Sequence, residues 1–191
     1  MLNADLEINY LYEAVPLLDR YLGSKEVFWQ LPGIAREPGF TFGALTIGVV
    51  LFMLKRLKAR TLSDKLATER GDYETLIFQS KIRNERLWMK KVGQDLTSRT
   101  RLWQTYLDEY RGDPVAARNS YPNQVSQRVM VQLLWEEQDT GSLLLTPLQF
   151  MLQSMDAILK PIFVPGDFVW EEELQSGFSK DTFWYLYGSL K

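Results

Sequence analysis

Apolar residues recur along this chain at the three- and four-residue spacing that stripes one side of an α-helix, in nearly every segment between clusters of glycine and proline. Leu2, Leu6, Tyr10, Val15, Leu17, Leu18 and Leu22 predict a first helix, broken or kinked near Pro16 and stopped by a left-handed Gly23. Ser24 is placed to cap a short turn carrying Val27, Phe28 and Trp29. Breaker clusters at Leu31-Pro32-Gly33 and Arg36-Glu37-Pro38-Gly39 then make 31–39 a loop. From Leu62 to Tyr110 positions including Leu66, Ile77, Trp88, Val92, Leu96, Trp103 and Leu107 keep helical spacing. They predict two helices divided at Gly71-Asp72, the second spanning 72–111.

The stretch 40–54 has no charged residue, and Lys55, Arg56, Lys58 and Arg60 follow it directly. It is shorter than the ~20 apolar residues that cross a bilayer, and it contains Thr41, Gly43, Thr46 and Gly48. A central helix of the bundle, over 41–60, is the reading that fits, with Leu45, Val49, Phe52 and Met53 against other helices. Membrane association through 40–54 is the alternative.

Gly112-Asp113-Pro114 reads as a stop followed by a capped start, giving a short turn over 114–118. Tyr121-Pro122 repeats the signal, and Val125, Val129, Leu133 and Leu134 continue a helix to about Glu137. Thr146-Pro147 opens another helix through Phe150, Met151, Met155 and Ile158 that ends at Pro161. Ile162-Phe163-Val164 is too brief to decide between strand and loop. A last short helix is expected from Lys180 to Tyr187. These elements together predict an all-α, irregular helical bundle of six to eight helices around a single core, with negligible strand. One domain covers 1–191, its 161–191 segment less regular and rich in aromatics.

Composition narrows the chemistry. The 191 residues include no cysteine and no histidine, which removes disulfides, thiolate nucleophiles, imidazole bases and every metal site built on those ligands. What survives is carboxylate, lysine or tyrosine chemistry and magnesium held by carboxylates. Net charge is −2, yet the basic residues concentrate between Lys55 and Arg118 and the acidic ones to either side. Neutralisation within the fold is the expectation for that pattern. The opening MLNADLEINY lacks a basic region ahead of an apolar stretch, so a soluble, cytoplasmic protein is expected.

Two acid pairs, Glu69 with Asp72 and Glu136 with Asp139, have the spacing that places carboxylates on one helical face. This resembles the acidic motifs of all-α nucleoside triphosphate pyrophosphohydrolases, and the resemblance implies a carboxylate–magnesium enzyme acting on a phosphate substrate. Lys81, Arg83, Arg86, Lys90, Lys91, Arg99 and Arg101, interleaved with Trp88 and Trp103, suggest instead a nucleic-acid-binding module through 81–101. No catalytic motif, glycine-rich phosphate loop or cofactor site stands out, so no catalytic, cofactor-binding or metal-ligating residue is assigned.

The leading expectation is a non-enzymatic protein-interaction or scaffold component. It rests on Phe183, Trp184, Tyr185 and Tyr187, too many aromatics for one face of a short helix. At least two of them are expected to form an exposed patch that meets another protein or a second copy of the chain. Nucleic acid and membrane stand as alternative partners.

Overall fold

The computed structural model describes residues 3–31, 33, 43–138 and 145–191. It is 75% helical with only two small sheets, which makes the protein all-α, with seven α-helices among the described residues. The chain divides into two compact units, Met1–Asp95 and Leu96–Lys191, and the division falls inside its longest helix.

In the N-terminal unit α1 (Ala4–Ala14) starts where the Asn3 side chain accepts the Leu6 N–H. A single 3-10 turn over Val15–Leu17 carries Pro16, and α2 (Leu18–Gly23) follows, so the interruption read near Pro16 is present. Gly23 is not left-handed; the helix is closed instead by Ser24, whose Oγ donates to the Tyr21 carbonyl at 2.8 Å. Two short strands, β1 (Trp29–Gln30) and β2 (Ala44–Leu45), pair antiparallel. Most of the loop read at 31–39 lies outside the described residues.

Helix α3 (Ile47–Ala59) takes up the uncharged run as far as Leu54 and carries Lys55, Arg56 and Lys58 in its last turns. Leu45, Val49, Phe52 and Met53 are all buried, and α3 packs on α1 and on α4 (Asp64–Arg83). No described helix is long and apolar enough to cross a membrane. Gly71-Asp72 does not break α4. An interior glycine costs only ~1 kcal/mol relative to alanine, and the helix runs on to bury Ile77 and Ser80. The break comes at Asn84, whose amide donates to Asp19 Oδ1 at 3.0 Å and to the Ser80 carbonyl at 3.2 Å. Helix α5 (Glu85–Gly112) begins beyond it.

In the C-terminal unit α6 (Pro114–Glu136) is one helix, capped by Asp113, rather than a turn over 114–118 and a second start. Pro122 sits inside it. Its ring removes one backbone donor, and the structure tolerates the gap on an exposed turn. Helix α7 (Leu145–Ile162) passes Pro161 by one residue. Among the described residues strand is confined to the two small sheets; where the sequence does not decide between strand and loop, Phe163–Phe168 forms β3, which pairs antiparallel with β4 (Tyr187–Leu190). The helix expected from Lys180 to Tyr187 is replaced by a 3-10 turn at Trp184–Leu186 running into β4.

Glycine makes that pairing possible. Gly188 has φ +153°, a conformation L side chains rarely adopt, and a Cβ there would lie 2.1 Å from the Val164 carbonyl oxygen. The register slips between Pro165 and Phe168, so Phe168 faces Tyr187 across a bulge.

Candidate functional site

The residues expected to present an aromatic patch are the core of the C-terminal unit. Phe183, Tyr185 and Tyr187 are buried, and Trp184 is only half-buried, so the exposed patch expected there is absent. The reason is the strand. Turning 184–186 into a 3-10 turn and 187–190 into β4 sends these rings inward along several directions, which a straight helix would not do.

Ring contacts run through the whole unit. Trp103 meets Tyr106 and Tyr121, Tyr121 meets Phe163, and Phe163 meets Trp184 edge-on at 5.3 Å. Trp184 leads through Tyr185 and Phe183 to Phe178, which packs on Trp170 and Phe168. The buried tyrosine hydroxyls are satisfied inside the protein, whereas the Trp103 indole N–H is buried without a hydrogen-bond partner among the described residues. Tyr121 Oη donates to the Tyr185 carbonyl at 2.6 Å and Tyr106 Oη to the Ala117 carbonyl at 2.7 Å. Burial pushes the hydroxyls of Tyr106, Tyr121 and Tyr185 well above the usual phenol range. Arg128, also buried, lies 4.6 Å from the Tyr185 ring and is held in a fork by Asp156, at 3.1 and 3.0 Å.

Where this network reaches the surface it leaves a cavity of about 510 Å³. Gly166, Asp167 and Phe168 of β3 line one side, Trp170, Glu172 and Gln175 another, with Lys180 and Tyr187 completing it. Two of the aromatic walls are pinned by their polar atoms: Tyr187 Oη donates to the Phe178 carbonyl at 2.6 Å, and Trp170 Nε1 to the Pro122 carbonyl at 2.7 Å. Burial also raises the Tyr187 hydroxyl above its ordinary value, opposed by a hydrogen bond with Gln175. Rings anchored this way are ordered before anything enters, with Tyr187 itself largely buried against Phe168. Asp167 and Glu172 are exposed at the rim and make no ion pair with a described residue. The Lys180 ammonium lies 5.7 Å from the centre of the Tyr187 ring.

Of the cavity's lining, only Tyr187 is among the partner-binding residues expected from the sequence. The signal available was the pairing of Pro165-Gly166-Asp167 with the glycine of Tyr187-Gly188, two turn-prone pieces able to face each other across a strand pair.

The other candidates separate. Trp88 and Trp103 are buried, as are Lys91 and Arg99, so the 81–101 segment displays no continuous basic face with an exposed tryptophan. Lys91 is held by Ser24 Oγ at 3.2 Å and the Glu26 carbonyl, 4.3 Å from the Tyr21 ring centre, and Arg99 donates to Gln127 at 2.9 Å. Part of the basic middle is ion-paired within the N-terminal unit: Arg56 and Arg60 share Glu7, Lys58 meets Glu74, and Arg83 meets Asp19. Glu69 and Asp72 do share continuous α4, but no group of three or more acids able to hold a metal occurs among the described residues. Asp139, and with it the pair to Glu136, lies outside them.

Comparison with protein-family models, curated proteins and solved structures finds no match to the chain.

Proposed function

We propose that this chain is a non-enzymatic protein-interaction or scaffold component, and that the aromatic cavity of the C-terminal unit is where it engages its partner. The observation that carries this reading is the combination of fixed ring faces from Phe168, Trp170 and Tyr187 with exposed carboxylates on the same rim. Pinned aromatics supply contact area at small entropic cost, because they are already ordered before binding. Charged groups at a rim steer and select more than they hold.

Co-purification from the native source, with the full chain as bait beside its Asp167→Lys/Glu172→Lys variant, tests the proposal. Both substituted side chains are exposed, so the fold should survive, which far-ultraviolet dichroism checks. A protein retained by the unaltered chain and lost from the variant is the expected result. Identical retention by both would remove the cavity from the interaction.

A further inference from the structure

The cavity's charge and its walls do not match each other, and the mismatch identifies its ligand. Two carboxylates, Asp167 and Glu172, stand at the rim without an ion-pair partner among the described residues. Asp181 adds a further acid in the adjoining sequence beside Lys180. Anions beside ring faces form a receptor for a cation: the carboxylates attract it through space, and the negative π-faces of Tyr187 and Trp170 favour positive charge at close range. Phosphates and nucleic acid are repelled by the same arrangement.

The structure already contains a stand-in for that ligand. Lys180 reaches over Tyr187 with its ammonium 5.7 Å from the ring centre, and it is exposed, so its stem is free to swing away. Resting on the proposal that the cavity is an interaction site, we infer that it receives a lysine or arginine side chain of a partner polypeptide, which displaces Lys180 from the ring. The volume of about 510 Å³ accommodates one such side chain with part of its backbone. Lys180 is then an internal competitor that holds affinity down until a cation presented by a partner replaces it.

Nuclear magnetic resonance titration of the full chain with short peptides identical except for a central lysine, arginine, norleucine or glutamate tests this directly. The backbone amides of Gly166 and Gly188 and the indole of Trp170 serve as local reporters. The lysine and arginine peptides should shift these signals and the other two should not. Asp167→Asn/Glu172→Gln should weaken binding at least ten-fold. Lys180→Met should strengthen it several-fold, a gain that a merely structural role for Lys180 would not produce. Equal binding of the norleucine peptide, or no strengthening in Lys180→Met, overturns the inference. So does lysine amide binding as tightly as the lysine peptide, since the ligand would then be a small amine. Should the peptides fail while a partner is still lost from the Asp167→Lys/Glu172→Lys bait, the interaction site stands and only its cationic ligand is refuted.

Discussion

The two compact units solve the same problem, burying polar groups, with opposite chemistry. The N-terminal unit buries charge. Glu7, fully buried, accepts from Arg56 Nε at 2.7 Å and from Arg60 Nε and Nη2 at 2.9 Å each, while Asp95, also fully buried, accepts the Gly48 N–H at 2.6 Å. That last bond gives α3 the negative charge at its start that its own first turn lacks. The C-terminal unit instead buries a connected set of phenols and indoles, and of its two buried guanidiniums Arg128 lies over the Tyr185 ring while Arg99 donates to Gln127. Ion pairs and neutral hydroxyls respond differently to pH and to substitution, so the contrast is open to experiment.

Alkali should separate the units most strongly. Tyr106, Tyr121 and Tyr185 ionise less readily folded than unfolded because burial raises their hydroxyls. Above the ordinary phenol value of about 10 the unfolded chain binds fewer protons than the native one, so stability falls as pH rises. Lys91 has the opposite sign. Burial, then repulsion from Lys90, lowers its ammonium, so between that lowered value and the ordinary value of 10.5 its contribution to stability rises with pH. Tyrosinate absorbance should therefore appear together with loss of near-ultraviolet dichroism from the C-terminal aromatics. Smooth ionisation with tertiary structure intact would contradict the burial.

Next in size is Glu7→Gln, which removes the carboxylate that two buried guanidiniums share and should cost about 3–5 kcal/mol in denaturant unfolding. Replacing Glu7, Arg56 and Arg60 together with apolar residues should recover most of that loss. Gly188→Ala forces a side chain into a backbone conformation worth about 1–3 kcal/mol of strain, before the clash with Val164 is relieved. Its effect should appear as faster proteolysis within 163–190. Tyr121→Phe removes one buried hydroxyl and strands the Tyr185 carbonyl, for about 1–2 kcal/mol. Smallest of all, Phe78→Ser/Ile82→Ser on α4, where these side chains are 60% and 61% exposed, should change stability by less than about 0.5 kcal/mol per site.

The same contrast explains what could be read from the sequence. Helix α3 was legible because an uncharged run must be buried somewhere, and the interruption at Pro16 because a proline ring acts on its own backbone. Local signals misled where tertiary bonds decided. Gly71 looked like a terminus but has open space around its Cα, whereas Asn84, unremarkable in sequence, is the break because Asp19, far away in the chain, supplies its partner. The candidate site was largely hidden for a related reason. Whether 180–187 is helix or turn depends on a strand at 163–168 that its own residues cannot specify, and only the assembled pair brings Asp167, Trp170, Lys180 and Tyr187 to one cavity.

The bulge between Pro165 and Phe168 has a consequence in time as well as in shape. It removes ladder bonds in the middle of β3, so the pair is held at Phe163–Pro165 and again at Phe168, where the Val169 N–H also reaches the Leu186 carbonyl at 2.9 Å. A ladder fastened at two ends opens at either one independently, and Tyr187 belongs to the end that walls the cavity. An occupant that binds only the closed form must therefore slow the opening of that end alone. Amide exchange would then register the ligand at Val169 while Val164, at the other fastening, keeps its original rate.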